Sequence, residues 1–390
     1  MKQVITSEKQ PIKLWLGDID QDTLTQAKNL ANLPFIFKHV AVMPDAHFGY
    51  GMPIGGVIAS EKMVIPNAVG VDIGCGMCAV KTSLTSISTE KLKLVLGGIR
   101  NTIPLGFKHH KKKQHSSLMP KVQSGRSEDF PVVSREYSNA LTQLGTLGGG
   151  NHFIEIQKGN DGHIWLMIHS GSRNIGFQVA KYYNRLAIDL NRKWRSKIPH
   201  NWQLAFLPVD DVNGRIYLQE MQYCVDFAYA NRKLMMERVK DALLAFVHPV
   251  SFEPIINIAH NYAAMETHFH KNVLVHRKGA TSAKKGEIGI IPGSQGSPSY
   301  IVRGKGEPES FKSCSHGAGR KMGRKQAQRQ LNLEKERKSL EDQGILHSVR
   351  TKRDLDEAPG AYKNIDEVIE NQLDLVEVLV KLRPLAVIKG

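Results

Sequence analysis

The chain has 390 residues, of which 41% are hydrophobic and 23% are charged. This composition excludes a mainly disordered or fibrous protein, and the length allows a large core, in one big domain or in two or three smaller ones. The 53 Lys and Arg against 37 Asp and Glu give a formal net charge of +16, which favours polyanionic partners, nucleic acid first.

Apolar runs bounded by glycine predict strands, and apolar residues at near-helical spacing predict helices. In chain order the predicted elements are a helix at Thr23–Leu33, strands at Val40–Met43 and Met77–Lys81, a helix at Thr89–Asn101, a strand at Ile164–His169, helices at Phe177–Lys193 and Val212–Val247, strands at Asn272–His276, Ile288–Ile291 and Ser299–Val302, and a helix at Ile365–Leu382. Because helices and strands do not alternate regularly, we predict an α+β fold with mainly antiparallel sheets flanked by helices.

The chain shows no internal repeat and no long linker, so we predict a single catalytic domain over residues 1–390. A basic stretch at residues 108–129 predicts a surface loop within this domain. Its positive charge leaves two interpretations open, solvation alone and contact with RNA.

Nothing in the sequence indicates export or membrane insertion. No stretch approaches the roughly 20 consecutive apolar residues of a membrane span, and residues 1–8 lack the apolar run of a signal peptide. The 4 cysteines are too few for a disulfide scaffold. We therefore expect a cytoplasmic protein without a membrane partner.

Polar side chains beside glycines are the most informative feature, because glycine permits a tight backbone that brings a side chain to a ligand. Five such clusters lie at residues 71–76, 148–155, 169–173, 259–262 and 313–320. Their carboxylate, thiol and imidazole groups suit Mn, Fe, Co or Zn better than Mg, and one thiolate can bridge two ions. A single histidine or buried cysteine is equally typical of an ordinary core.

Two other chemistries find less support. Cys75 and Cys78 form a C-x-x-C pair, but the second pair that a zinc knuckle needs is missing, and so is a thioredoxin-like context for a redox dithiol. The sequence also lacks a Walker loop and a glycine-rich dinucleotide fingerprint after a strand, so any nucleotide is held in another way.

Six segments resemble the signature blocks of the RtcB family of GTP-dependent RNA-splicing ligases. They are MPDAH at residues 43–47, GVDIGCGM at 70–77, GTLGGGNHF at 145–153, HSGSR at 169–173, IPGS at 291–294 and SHGAGR at 315–320. The blocks run in family order, and the similarity extends to the terminal residues 387–390.

The resemblance implies an RNA ligase that joins a 3′-phosphate or 2′,3′-cyclic phosphate end to a 5′-hydroxyl end, in tRNA splicing or RNA repair. A histidine would take GMP from GTP and pass it to the RNA 3′-phosphate, giving an activated RNA end that the 5′-hydroxyl attacks. The family typically uses two manganese ions. The resemblance implies RNA as the partner and raises an archease-type activator as a candidate second partner.

Site residues carry over position by position. The resemblance implies His316 as the nucleophile, with Asp45 orienting it or assisting proton transfer. It implies metal ligands at Asp72, Cys75, His152, His169 and His260, with Cys75 bridging both ions. It implies nucleotide contacts at Asn151, Phe153, Glu155, Ser294, Ser299, His316, Ala318, Tyr362 and Lys389. It implies RNA contacts at Arg173, Arg320 and Arg324.

Two departures from the family pattern bear on substrate preference. Gln295 stands where methionine is common, and three glycines precede Asn151. Two other functions remain as alternatives: a metal-dependent RNA phosphodiesterase or cyclic-phosphate hydrolase without ligation, which would not need His316, and an RNA-binding protein without catalysis.

Overall fold

The computed structural model describes residues 1–121 and 129–390. In this part of the chain the α-helices are α1 Gln21–Ala31, α2 Pro66–Val69, α3 Thr89–Thr102, α4 Val133–Gln143, α5 Arg173–Lys193, α6 Val212–Leu244, α7 Arg324–Gln330, α8 Leu333–Glu341 and α9 Ile365–Glu370. The strands are β1 Gln3–Ile5, β2 Ile12–Leu14, β3 Ile36–His47, β4 Ile54–Ser60, β5 Met63–Val64, β6 Gly76–Lys81, β7 Phe153–Gly159, β8 Ile164–Ser170, β9 Leu207–Pro208, β10 Ile256–Ala259, β11 Asn261–His268, β12 Lys271–Lys278, β13 Ala280–Ser282, β14 Ile288–Ile291, β15 Ser299–Gly304, β16 Ser313–Ser315 and β17 Val376–Lys389.

Two large sheets organise the described chain. A six-stranded sheet has the order β1-β2-β3-β4-β12-β11, and a seven-stranded sheet has the order β10-β6-β8-β7-β17-β15-β14. Two short pairs, β13-β16 and β5-β9, complete the strand pairing. Only β2 and β3 run parallel among the described pairs, which confirms the predicted α+β fold with mainly antiparallel sheets.

Helices α3 and α6 cover one face of the seven-stranded sheet. Leu92 and Val95 of α3 and Met236 of α6 pack with Ile154 and Ile168 of the strands in one buried cluster. The periodic apolar residues of both helices therefore face the sheet, since burial of apolar surface is the main force that holds such layers together.

Strand direction brings the glycine-flanked clusters to one edge of the seven-stranded sheet. In an antiparallel sheet the end of one strand lies beside the start of the next. Cys75 precedes β6, His152 precedes β7, His169 lies near the end of β8, and His260 follows β10. The register pairs His169 with both Met77 and Phe153, so these side chains converge although they are far apart in sequence.

Most predicted elements are confirmed within a few residues, but the helix predicted at Ile365–Leu382 is wrong beyond Glu370. Helix α9 ends there, and residues from Val376 onward form β17 between β15 and β7. From Val376 to Leu382 a branched apolar residue stands at every second position, with Glu377 and Lys381 between them, which is the period of a strand. That local period is the signal that the helical interpretation overlooked.

Part of the predicted basic loop is described. Lys108, Lys111, Lys112 and Lys113 are exposed, whereas residues 122–128 of the same segment lie outside the described residues. Every helix within residues 1–121 and 129–390 is too short or too polar to span a bilayer.

Candidate metal and nucleotide site

A first group of metal-type donors lies where β6, β8 and β10 meet. The Cys75 Sγ lies 3.2 Å from the His169 Nε2, which lies 3.4 Å from the His260 Nε2. All three side chains are buried. Burial and the neighbouring imidazoles hold the pKa of His169 and of His260 well below the usual value, so both rings are neutral and offer lone pairs.

A second group shares the same thiol. The His152 Nε2 lies 3.5 Å from the Cys75 Sγ and 3.2 Å from a carboxylate oxygen of Asp72. The donor atoms of Asp72, Cys75 and His152 all lie within 4.8 Å of one another, as do those of Cys75, His169 and His260. Five predicted ligands thus divide into two sets of three with Cys75 in common.

Neighbouring groups orient these donors. The Nδ1 of His169 lies 3.1 Å from the Asn151 carbonyl oxygen, so the ring donates there and leaves its Nε2 free toward Cys75. Burial and the charge of Asp72 raise the pKa of the Cys75 thiol well above its usual value. A divalent cation at this thiol would displace its proton. The donor set and its tautomers fit one or two such ions.

His316 lies beside this donor set, directly after β16. Its ring centroid is 4.8 Å from that of His260. Asp45 of β3 is completely buried, and its Oδ2 accepts hydrogen bonds from the His316 Nδ1 at 2.6 Å, the His316 backbone N–H at 3.1 Å and the Gly317 N–H at 3.2 Å. Since Nδ1 donates to the carboxylate, the Nε2 lone pair remains available for other chemistry.

The carboxylate of Asp45 is ionised in this arrangement. Its burial alone would raise the pKa, but the charge and the hydrogen bond of His316 outweigh that effect and hold the pKa below the usual value. Gly279 leaves space on the other side of the ring, because a Cβ there would lie 3.1 Å from the His316 Cε1. The imidazole is therefore held by an anion on one side and open on another.

A cleft of about 1210 Å³ is lined by His316 and by all of the metal-type donors except His152. The predicted site residues that line the cleft are Asp72, Cys75, Asn151, Phe153, Glu155, His169, His260, Ser294, His316, Ala318, Arg320, Arg324, Tyr362 and Lys389. Its size suits a nucleotide and part of a polymer substrate better than a small metabolite.

Glu155 is a buried carboxyl group of the cleft, with an exposed fraction of 2%. Burial raises its pKa to about 8, although the charge of Lys389 and a hydrogen bond from Gln157 act in the opposite direction. The Lys389 Nζ lies 5.7 Å from the centre of the Phe153 ring. An aromatic face, a carboxyl group and an ammonium thus meet in a single subsite.

The remaining predicted nucleotide residues lie on two adjoining segments. The Ser294 and Ser297 hydroxyls are 2.8 Å apart, and the buried Ser299 Oγ accepts hydrogen bonds from the Gln157 Nε2 and the Gly293 N–H. Gln295 is buried, and its side chain donates to the Glu357 carbonyl at 2.9 Å. That departure from the family pattern therefore ties two segments of the cleft wall together.

Glu357 is a central residue of the cleft that the sequence analysis missed. Its carboxylate lies 3.1 Å from the Arg320 Nη1, 2.9 Å from the Arg324 Nε and 3.8 Å from the Lys389 Nζ, and it accepts a hydrogen bond from the Tyr362 hydroxyl. Burial would raise its pKa, but these cations outweigh that effect and hold the pKa low. No glycine or histidine adjoins Glu357, so the sequence offered no local signal.

The three arginines predicted to bind RNA differ in their surroundings. The Arg324 side chain is 53% exposed, whereas that of Arg320 is 15% exposed and also donates to the Asp356 carbonyl. Arg173 begins α5 with a φ of 60° and bonds the Thr146 hydroxyl and the Gly106 carbonyl, and it does not line the cleft. The structure therefore brings Arg320 and Arg324 to the cleft but not Arg173.

Two further residues outside the predicted set brace the metal-type donors from α6. The buried Arg232 donates from its Nη1 to the carbonyls of Gly74 and Ser170, at 2.9 Å each, and these residues adjoin Cys75 and His169. Asn231 binds the backbone of Gly145 and Thr146. Polar residues on the buried face of a predicted helix are the signal that could have identified them.

The fold and the cleft define the class first: an α+β protein with a thiol-centred set of metal-type donors beside a histidine–carboxylate pair. The family model described as "tRNA-splicing ligase RtcB" matches residues 26–390. The chain is 39% identical to the RNA-splicing ligase RtcB of Escherichia coli, over 100% of this chain and 99% of that protein. It is 33% identical to the tRNA-splicing ligase RtcB of Nanoarchaeum equitans, over 97% and 95% of the two chains.

These similarities cover nearly the full length of both proteins in each pair. The chain therefore belongs to the RtcB family, which confirms the resemblance drawn from its sequence.

Proposed function

We propose that this protein is an RNA ligase that joins RNA 3′-phosphate or 2′,3′-cyclic phosphate ends to 5′-hydroxyl ends, using GTP and two divalent cations. The RNA-splicing ligases among its relatives support the reaction class. The observation that carries the mechanism is the placement of His316 next to His260, with its Nδ1 held by Asp45 and its Nε2 free.

The first step follows from that geometry. The His316 Nε2 attacks the α-phosphorus of GTP, a P–N bond forms, and pyrophosphate leaves with the electron pair of the broken P–O bond. The Asp45 carboxylate stabilises the charge that develops on the ring, as a buried carboxylate does for a catalytic histidine. Glu155 accepts hydrogen bonds from the guanine N1–H and 2-amino group, which adenine does not offer.

A 2′,3′-cyclic phosphate end first takes up water at phosphorus, which breaks the bond to the 2′-oxygen and gives a 3′-phosphate and a 2′-hydroxyl. Two transfers then complete the reaction. An oxygen of the RNA 3′-phosphate attacks the phosphorus of the histidine-bound GMP, which frees His316 and gives an activated RNA end. The 5′-hydroxyl oxygen then attacks the 3′-phosphate, GMP leaves, and a phosphodiester forms. Arg324 and Arg320 suit the RNA phosphates, since a guanidinium can bind phosphate through two hydrogen bonds.

A thiol, three imidazoles and a carboxylate are of intermediate softness and suit manganese, iron, cobalt or zinc, and the family resemblance favours manganese among these metals. Divalent ions held by Asp72, Cys75, His152, His169 and His260 would neutralise phosphate charge beside His316.

Joining of two labelled RNA strands tests the proposal. One strand ends in a 3′-phosphate and the other begins with a 5′-hydroxyl. We expect a joined product only with both GTP and Mn²⁺, and a covalent, acid-labile label on the protein from GTP labelled at the α-phosphate. RNA cleavage or opening of a cyclic phosphate without joining or label would support a metal-dependent hydrolase instead. RNA binding without any reaction would support a binding protein.

We expect the affinity for GTP to depend on pH through Glu155. The carboxyl group must be ionised to accept from guanine, and its pKa of about 8 in the free protein means that binding below this pH releases a proton. Affinity should therefore rise from pH 7 to about pH 8, by up to roughly tenfold per unit, and then level off.

Titration of wild type and Glu155→Gln with GTP, by calorimetry in buffers of different ionisation enthalpy, measures both the affinity and the released proton. The variant should bind more weakly and lose the extra pH dependence. An equal slope in both proteins would contradict this role of Glu155.

A further inference from the structure

Two exposed aromatic rings stand at the cleft on the segment between β3 and β4. The exposed fractions of Phe48 and Tyr50 are 58% and 68%, and both side chains line the cleft that contains His316. Within the described residues, neither ring packs against another ring or a cation. Two unpartnered rings next to a reaction site are a costly arrangement unless they bind something there.

The backbone beneath these rings is fixed. Gln26 of α1 is buried, and its amide both donates to the Gly49 carbonyl at 2.5 Å and accepts from the Gly49 N–H at 3.1 Å. The buried Lys278 ammonium donates to the carbonyls of Tyr50 at 2.5 Å and Met52 at 3.0 Å. The rings therefore project from a braced backbone, so that a ligand does not have to order the segment that carries them.

Glycine is required on this segment at position 51. Its φ is 69°, and a Cβ there would lie 2.6 Å from the Gln203 carbonyl oxygen. The close approach anchors the segment to the chain around Gln203 as well as to α1. These contacts fix the position of the backbone that carries the two rings at the cleft.

Charge around the rings argues against phosphate as their ligand. Asp18, Asp20 and Asp22 also line the cleft, and they precede or begin the helix whose Gln26 holds the segment. The cleft-lining Lys278 and Lys363 already donate their ammonium N–H groups to backbone carbonyls of this region, and other cations of the cleft, from Arg320 to Lys325, lie on a different segment. An uncharged planar group with a large face fits two aromatic rings beside carboxylates better than a backbone phosphate does.

We propose that Phe48 and Tyr50 form a stacking platform for an unpaired nucleobase close to the RNA end that enters the cleft. This inference rests on the proposed RNA-ligase function. Stacking on an aromatic ring is worth about 1–3 kcal/mol per base and tolerates any sequence. The platform would hold an RNA end of arbitrary sequence, while the guanidinium groups bind its phosphates.

RNA binding by the full-length double variant Phe48→Ala/Tyr50→Ala tests the platform. We expect the double variant to bind a single-stranded RNA with a 3′-phosphate or a 5′-hydroxyl end about tenfold to a hundredfold more weakly than wild type. The measurement is then repeated with a series of RNAs, each of which has a single abasic site at a different terminal nucleotide. At the position that stacks, the abasic RNA should bind wild type and variant equally.

A fluorescent 2-aminopurine at the same position gives a direct signal. Its emission should be quenched on binding to wild type and to Tyr50→Phe, and much less on binding to the double variant. Phe177→Ala is the matched control, since Phe177 is 44% exposed on α5 and does not line the cleft. It should bind RNA as wild type does.

Unchanged RNA affinity in the double variant would overturn the platform, and so would an equal loss with intact and abasic RNA. The latter would indicate a change of cleft shape or charge. Because binding is measured apart from joining, failure of the proposed function would appear separately, as wild-type protein that binds RNA but neither joins it nor takes a label from GTP.

Discussion

The variant His316→Ala should take no covalent label from GTP and should join no RNA. The substitution removes the only imidazole that Asp45 holds with its carboxylate among the described residues, and with it the proposed nucleophile. Loss of a nucleophile of this kind lowers the rate by at least about a thousandfold. Labelling with α-labelled GTP and the joining assay measure the two effects.

Metal content separates this result from a general collapse of the site. His316 is not one of the donors around Cys75, so the variant should still retain Mn²⁺. His163→Ala is the control, because His163 precedes β8 at the opposite edge of the sheet and should behave as wild type. Persistent labelling of His316→Ala would place the covalent bond on another residue and contradict the mechanism.

Substitution of Asp45, the carboxylate partner of His316, should slow labelling less than the loss of His316 does. Asp45→Asn keeps the shape of the side chain but removes the charge next to the His316 Nδ1 and favours the other tautomer of the ring. We expect labelling to slow by about a hundredfold to ten-thousandfold. A normal rate in this variant would mean that the hydrogen bond seen at 2.6 Å between His316 and Asp45 does not serve the reaction.

The variant Cys75→Ala should lose metal and, with it, every step of the reaction. The Cys75 thiol belongs to both donor sets, so its removal leaves two donors in each. Loss of a shared ligand should weaken metal binding by more than about a hundredfold, since even changes to groups that only orient a ligand cost tenfold to a hundredfold. Elemental analysis after loading with Mn²⁺ and gel filtration measures the retained ions.

Cys78→Ala is a matched control, because Cys78 lies in β6, the strand that directly follows Cys75. The Cys78 side chain is buried among the residues that face α3 and α6, and its Sγ lies 3.8 Å from the Arg232 carbonyl oxygen. This variant should keep its metal. Metal retention in Cys75→Ala, or metal loss in both variants, would contradict a thiol-centred site at Cys75.

Local sequence patterns predicted much of the fold. Ile288–Ile291 was predicted as a strand with the observed bounds, and the apolar spacing from Val212 predicted α6 nearly to its end. The order of the strands could not be predicted, because the pairing of β17 between β7 and β15 joins residues more than 70 positions apart in sequence. Such pairings depend on the packing of the whole chain.

The glycine-flanked motifs predicted the candidate site, but the buried residues that hold its side chains in place were not predicted. Glycines at or near Asp72, Cys75, His169 and His316 mark residues that line the cleft. Without the family resemblance, Tyr362 and Lys389 would pass for surface residues, yet both make their main contacts with Glu357 inside the cleft. Side chains that act through a shared buried partner have no sequence spacing of their own to reveal them.

Glu357 also determines how substitutions in the cleft will combine. The Glu357 carboxylate is the shared counter-charge of Arg320, Arg324 and Lys389. Removal of any one of these cations therefore strengthens the attraction between Glu357 and the two that remain. Residues in one such network show interaction energies, and their single effects do not add. The free-energy contribution of each cation therefore depends on the other two, and it can be measured only through double-mutant cycles.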